Sequence, residues 1–119
     1  MPETEKQYQY YAFISYSRKN SAAAKFLHRK LEHFPVPVKY VAPENLPGKG
    51  KFLRPIFRDR RDLEVSKDNF TVDIQKALEN SRYLIVLCSP ESAASEWVNE
   101  EINYFLETHD HDYTLVVPV

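Results

Sequence analysis

Two side chains one helical turn apart, Trp97 and Glu101, are the residues in this sequence whose types and spacing first suggest chemistry. Residues 95–107 carry apolar side chains at helical spacing, and at about 100° per residue these form one stripe centred on Val98. The stripe consists of Val98, Ile102, Phe105 and Leu106. Glu101 falls about 60° from its centre, at the edge of a core, whereas Glu100 falls on the solvent face. A carboxylate in such a place is poorly solvated and can stabilise a positive charge that develops beside it.

Other reactive side chains in the sequence do not form a convincing site. Cys88 is the only cysteine, which excludes an internal disulfide and a multi-cysteine zinc site. The four histidines are scattered, so no nucleophile triad is indicated. The His-Asp-His-Asp run at 109–112 is interpreted as a polar loop, because adjacent residues rarely converge on one metal ion. With only Gly48 and Gly50, the chain has neither a P-loop nor a dinucleotide-binding glycine motif.

Length and charge bound the class of protein. The 119 residues suffice for one domain with a modest core. The formal net charge of -1 gives no general electrostatic case for contact with nucleic acid or an anionic membrane. There is neither an apolar run of membrane-spanning length nor a signal-peptide core near the N-terminus, so we expect a cytoplasmic protein. Residues 1–9 are predicted to be a disordered lead and residues 10–119 to be the domain.

Strands and helices alternate along the sequence. The apolar and turn patterns predict strands at 10–16, 52–57, 83–88 and 113–119. Helices are predicted in three stretches: one with Ala23, Phe26, Leu27, Leu31 and Phe34 on its apolar face, one with Phe70, Ile74, Ala77 and Leu78, and the one at 95–107. This alternation predicts an α/β fold with a parallel sheet. The lack of a glycine-rich first turn favours the flavodoxin-like order 2-1-3-4-5, with the last strand and helix beyond residue 119, so that the domain would be truncated.

In a sheet of this order, ligands bind between the first and third strands, at their carboxyl ends. The walls of that crevice are predicted to be residues 15–18, after the first strand, and residues 89–90, after the third. The charged loop at 58–66 follows the second strand and lies at the same end of the sheet. The helix that carries Trp97 and Glu101 leaves the second wall, so three segments converge on one place.

Four segments, taken together, resemble a TIR (Toll/interleukin-1 receptor) domain of the bacterial type. They are Phe-Ile-Ser-Tyr-Ser at 13–17, Phe-Arg-Asp at 57–59, Ile-Val-Leu-Cys-Ser-Pro at 85–90 and Ser-Glu-Trp-Val-Asn-Glu-Glu-Ile at 95–102. The resemblance covers about residues 11 to 119 and implies a flavodoxin-like fold. Many TIR domains hydrolyse NAD at the nicotinamide–ribose bond with a glutamate four residues after a tryptophan. That pattern implies Glu101, and not Glu100, as the catalytic residue.

The resemblance also implies a substrate site. Trp97 or Tyr16 would stack on a flat ring, although a tryptophan at a helix start is more often a core residue. Arg18, and secondarily Arg58 or Lys19, would meet the pyrophosphate in place of a glycine loop, with a solvated turn as the alternative for Arg18. The predicted substrate-binding set is Trp97, Tyr16, Ser17, Arg18, Phe57, Arg58 and Ser89. NAD+ is then the substrate, and no cofactor is expected.

In TIR domains the loop after the second strand mediates self-assembly. The residues implied here are Arg60, Arg61, Asp62 and Leu63. The expected partners are other copies of the domain and a sensor or oligomerisation domain C-terminal to residue 119, in bacterial signalling or defence.

The leading hypothesis is therefore an NAD+ glycohydrolase, activated by self-assembly, that releases nicotinamide and forms ADP-ribose or a cyclic variant. Two alternatives stay open from the sequence. One is a non-catalytic TIR module that binds other TIR domains through the 58–66 loop. The other is a flavodoxin-like domain that binds a different nucleotide.

Overall fold

The computed structural model describes residues 8–35, 52–58, 72–109 and 113–119. Its strands are β1 (Tyr10–Ser15), β2 (Ile56–Arg58), β3 (Ser81–Cys88) and β4 (Thr114–Pro118). Its α-helices are α1 (Ser21–Glu32), α2 (Val72–Glu79), α3 (Pro90–Ala94) and α4 (Glu96–Thr108), and a 3-10 turn covers Arg18–Asn20.

The four strands form one parallel sheet in the order β2-β1-β3-β4. Strand β1 pairs with β2 from Ala12 opposite Ile56, and with β3 as far as Ser15 opposite Val86. The predicted α/β class and the flavodoxin-like order of these strands are therefore confirmed. Because β1 and β3 are neighbours, the loops that leave their carboxyl ends lie side by side, as a switch point requires.

Side chains along β1 and β3 alternate between two cores. One face of the sheet packs against α2 and α4, and the other against α1. The first face carries Phe13, Leu84 and Val86, and the second carries Ala12, Ile14, Ile85 and Leu87. Strand β3 is thus buried on both faces, which explains its continuous apolar sequence.

Three of the five residues predicted for the apolar face of α1, Ala23, Leu27 and Leu31, pack against the core, but Phe26 and Phe34 do not. The buried residues of α1 are Ala24 and His28, whereas Phe26 and Phe34 are exposed. Ala24 and Phe26 are about 200° apart on a helix, so both cannot face the sheet. Ala24 belongs to the same buried cluster as Ala12 and Ile14 of β1. The predicted face included Phe26 and Phe34, which are exposed, and did not include His28, which is buried.

Strand β2 is shorter than predicted and begins only after Pro55. The predicted strand began at Phe52, but Phe52 instead forms an isolated antiparallel bridge with Pro35. Proline has no N–H to donate to a ladder, so regular pairing starts at Ile56. Pro55 still contributes its carbonyl oxygen, which accepts a hydrogen bond from the Tyr11 N–H at 2.8 Å.

Strand β4 lies at the edge of the described sheet, beside β3. Its apolar side chains Leu115, Val116 and Val117 are exposed on both faces of the strand. The predicted fifth strand and last helix stay predictions. In the described ranges, no helix is both long and apolar enough to cross a bilayer.

Helices α2 and α4 are joined by a hydrogen bond from the Tyr104 hydroxyl to the Glu79 carboxylate. This bond, followed by burial and by the charges of Glu79 and Glu107, raises the pKa of Tyr104 from 10.0 to about 12. A raised tyrosine pKa means that the folded state holds the proton more tightly. The hydrogen bond between Tyr104 and Glu79 therefore contributes its full stabilisation of the folded state below pH 10. This contribution is lost as the pH rises towards 12.

We predict that Tyr104→Phe lowers the free energy of unfolding by about 0.5 to 1 kcal/mol at neutral pH, a small loss because the pair is partly exposed. The difference from wild type should shrink between pH 10 and 12. Urea unfolding at pH 8 and near pH 12 measures it. A difference that is the same at both pH values would show that the phenol proton is not responsible.

Candidate active site

Helix α4 is set in place by the residues that begin it. The Ser95 hydroxyl caps the helix by accepting from the Val98 N–H at 3.1 Å. Just before it, Ser89 and Ser92 form a reciprocal capping box on the short helix α3. The two caps lie between the end of β3 and the first turn of α4, so they fix the path of the chain from β3 to α4. The residue at which α4 starts is therefore fixed.

Glu101 lies inside the core rather than at its edge. The buried residues of α4 are Trp97, Val98, Glu101 and Phe105, and Glu101 is only 1% exposed. Ile102 is half-buried and Leu106 is 38% exposed. The buried stripe is thus rotated towards Glu101, because α4 packs its Trp97 side onto Phe13 and Leu78. Glu100 is partly exposed, which agrees with its predicted position.

The Glu101 carboxylate is held by a serine that the sequence analysis treated only as part of a crevice wall. Ser15 Oγ donates a hydrogen bond of 2.7 Å to Glu101 Oε1, and both side chains are buried. Ser15 follows Phe13 by two positions, so its side chain points to the same face of the sheet. Two features of the sequence could have predicted this contact. The alternation along β1 places Ser15 on the same face as Phe13, and the helical wheel of α4 places Glu101 beside the apolar stripe.

The loops that follow β1 and β3 are in contact. Ser89, after β3, donates from its hydroxyl to Asn20 Oδ1, after β1, at 2.7 Å. Asn20 stands at the N-cap position of α1 but makes no side-chain capping bond there, because its oxygen is directed to Ser89. On the first wall, Ser17 is buried and accepts from the Lys19 N–H at 3.3 Å. Ser17 and Ser89 therefore lie at adjoining loops, as predicted.

Trp97 and Phe57 belong to the core on the Glu101 side of the sheet. Trp97 is 7% exposed and packs in the same cluster as Phe13. Phe57 is half-buried and stacks on Phe13 with 5.0 Å between ring centroids. This arrangement agrees with the interpretation of Trp97 as a core residue. Stacking of Trp97 on a substrate ring stays a prediction.

Tyr16 and Arg58 lie on the opposite face of the sheet from Glu101. Tyr16 packs against the cluster under α1. Arg58 Nε donates to His28 Nδ1 at 3.0 Å, and His28 Nε2 lies 3.1 Å from Glu32 Oε2. Because an arginine Nε–H can only donate, His28 Nδ1 accepts, and the ring proton is on the side of Glu32. In this arrangement Arg58 joins β2 to α1, and its predicted contact with pyrophosphate would need the side chain to turn.

The basic residues after β1 are exposed. Arg18 and Lys19 lie on the 3-10 turn that follows the first wall. Their positions are compatible with the predicted contact to an anionic group, which stays untested. The predicted self-association residues Arg60, Arg61, Asp62 and Leu63 lie outside the described residues. Within the described part of the chain, no group of three or more His, Cys, Asp or Glu side chains could hold a metal ion.

Comparison with known proteins agrees with this fold and with the sequence motifs. The sequence profile of the TIR domain family matches residues 12–119. NAD(+) hydrolase ApTIR from Actinoplanes sp. is 36% identical over 110 residues, which cover 92% of this chain and 14% of that protein. The chain thus spans about a seventh of the length of this curated relative. The family match takes in most of β1 and every later strand and helix described above, and the chain belongs to the TIR domain family.

Proposed function

We propose that this domain is an NAD+ glycohydrolase that breaks the nicotinamide–ribose bond and that Glu101 is its catalytic residue. The observation that carries the proposal is the Glu101 carboxylate itself. It is buried, held by Ser15, and placed one turn after Trp97 on the helix that leaves the β3 wall of the crevice. The similarity to an NAD(+) hydrolase over 92% of the chain supports the same substrate.

One carboxylate is enough for this reaction because of the leaving group. An ordinary glycosidase uses two carboxyl groups, since one must protonate the departing oxygen. Nicotinamide in NAD+ is a pyridinium cation and departs as a neutral molecule without a proton. The remaining task is to stabilise the positive charge that develops on the ribose as the bond breaks. A fixed negative charge next to the ribose performs it.

Burial makes the Glu101 carboxylate effective in that role. Water screens a charge strongly, whereas the same charge in a medium of lower effective dielectric acts several times more strongly on a neighbour. The carboxylate is also already oriented, because Ser15 binds one of its oxygens. Little reorganisation is then needed when the ribose becomes cationic.

The product depends on the nucleophile that meets the ribose cation. Attack by water, with loss of its proton, gives ADP-ribose. Attack by a hydroxyl group of the same molecule, again with loss of its proton, gives a cyclic ADP-ribose. The exposed Arg18 and Lys19 are suited to pair with the pyrophosphate that both products retain.

Self-assembly is part of the proposal. The domain would become active when copies cluster, through surfaces that include Arg60, Arg61, Asp62 and Leu63. A further domain of the full protein, acting as sensor or oligomerisation unit, would bring them together in bacterial signalling or defence. The relative's length, about seven times that of the matched region, leaves room for such a domain in that protein.

The test is to incubate the purified domain with NAD+, dilute and after enforced clustering on a multivalent scaffold, and to separate the products. We expect nicotinamide and ADP-ribose or a cyclic form in equal amounts, with faster release from clustered protein. Self-association without loss of NAD+, even on the scaffold, would instead identify the domain as a non-catalytic interaction module.

A further inference from the structure

Ser15 is the last residue of β1, and its side chain is completely buried. Its hydroxyl donates to Glu101 Oε1 at 2.7 Å, across a sequence separation of 86 residues. This length is typical of a hydrogen bond from a hydroxyl group to a carboxyl oxygen. Ser15 is therefore tied directly to the proposed catalytic group.

The position of the Ser15 hydroxyl is set by the sheet. Ser15 pairs with Val86 of β3, directly after the last pair of β1 with β2, Ile14 opposite Arg58. The side chain has a single rotatable bond before its oxygen, so a fixed backbone leaves the oxygen few places to lie. A glutamate has three such bonds, and its carboxylate can take many orientations unless a neighbour selects one.

We propose that Ser15 is a positioning residue for NAD+ cleavage, which acts by fixing the orientation of the Glu101 carboxylate. This inference rests on the proposed function of the domain. The serine hydroxyl joins a rigid strand to a flexible carboxylate on the facing helix. The rigid strand thereby restricts the orientation of the Glu101 carboxylate, which must lie beside the ribose. Catalytic groups held this way need little rearrangement in the transition state.

A residue that positions Glu101 affects the reaction differently from one that binds substrate. Loss of the hydroxyl should lower kcat and leave KM nearly unchanged, because the contact improves the transition state rather than substrate binding. It should also move the acid limb of the kcat profile to higher pH, since a hydrogen bond donated to a carboxylate favours the ionised form. Loss of folding stability alone would produce neither change in the folded protein.

The experiment compares Ser15→Ala with Ser81→Ala in the clustered domain. Ser81 is a matched control, because it is also completely buried at the end of a strand and donates a 2.7 Å hydrogen bond, to the Ala77 carbonyl oxygen. We expect Ser15→Ala to lower kcat by about tenfold to a hundredfold, since a misplacement of about 1 Å can cost about a hundredfold in rate. Ser81→Ala should keep the wild-type kcat and pH profile even if it lowers the melting temperature equally.

A second variant covers the case in which Ser15→Ala does not fold. Ser15→Cys replaces the hydroxyl with a weak S–H donor on a side chain of similar shape, and should lower kcat by a smaller factor than Ser15→Ala. Either folded variant with wild-type kcat and an unmoved acid limb would overturn the positioning role.

The inference and the proposed function fail in different ways. If Glu101→Gln is inactive while folded Ser15→Ala retains full kcat, the proposed function stands and only the role of Ser15 is wrong. If the clustered wild-type domain consumes no NAD+, both are wrong.

Discussion

Replacing Glu101 with glutamine is expected to abolish NAD+ cleavage and leave the domain folded. Glutamine has nearly the same shape as glutamate but carries no charge, so it cannot offset the positive charge that develops on the ribose. We expect kcat to fall by at least about a thousandfold, because the variant lacks the main electrostatic term of the proposed mechanism. Nicotinamide release from the clustered protein is the measurement.

The same substitution should be mild for stability. The bond from Ser15 can survive in Glu101→Gln, since an amide oxygen also accepts from a hydroxyl at the place of Glu101 Oε1. The substitution also removes a buried charge, whose desolvation opposes folding. We expect the free energy of unfolding to stay within about 1 kcal/mol of wild type. Chemical unfolding of Glu101→Gln measures it.

Glu100→Gln is the control for both measurements. Glu100 is the neighbouring glutamate on the same helix but is partly exposed, so its charge is screened by water. The variant should cleave NAD+ at the wild-type rate. If Glu100→Gln were inactive and folded Glu101→Gln active, the helical position assigned to the catalytic carboxylate would be wrong.

The largest effect on stability is expected from Phe105→Ala. Phe105 is completely buried, lies one turn after Glu101, and stacks on His109 with 3.8 Å between ring centroids. Removing the ring leaves a cavity between α4 and the sheet and should lower the free energy of unfolding by about 3 to 5 kcal/mol. Because a domain of this size has a total stability of about 5 to 15 kcal/mol, the variant should be close to unfolding at 37 °C. Chemical unfolding against wild type measures the loss.

Leu106→Ala is the matched control for this prediction. Leu106 is the next residue of the same helix but is 38% exposed, so its removal opens a smaller gap in the packing. We expect it to lower the free energy of unfolding by about 1 kcal/mol or less. Equal losses from the two variants would mean that the face of α4 turned to the sheet differs from the one described here.

The alternation of strands and helices predicted the α/β class, and the lack of a glycine-rich first turn favoured the order that the four described strands adopt. Parallel sheets follow a few connection rules, and β3 carried a clear signal as a strand buried on both faces. The depth of Glu101 was harder to predict. A helical wheel gives angles about the helix axis, but the rotation of α4 on the sheet depends on how Trp97 and Phe105 pack.

Contacts between distant segments could not be predicted in the same way. Tyr16 and Arg58 were grouped with Glu101 because they follow strands that end at one edge, but each strand residue points to only one face of the sheet. Both lie on the α1 side, where Arg58 meets the buried His28. Ser15 points to the Glu101 side and was not among the predicted substrate contacts. The alternation of side chains along each strand decides which of these residues face Glu101. For residues on different strands, it must be combined with the register in which the strands pair.

The decisive measurement is nicotinamide release by the clustered domain, with wild type and Glu101→Gln compared at equal concentration. We predict that wild type releases one nicotinamide for each NAD+ consumed and that the folded Glu101→Gln protein releases none above background. Equal release from the two proteins, or no release from wild type on the scaffold, would contradict the role proposed for Glu101.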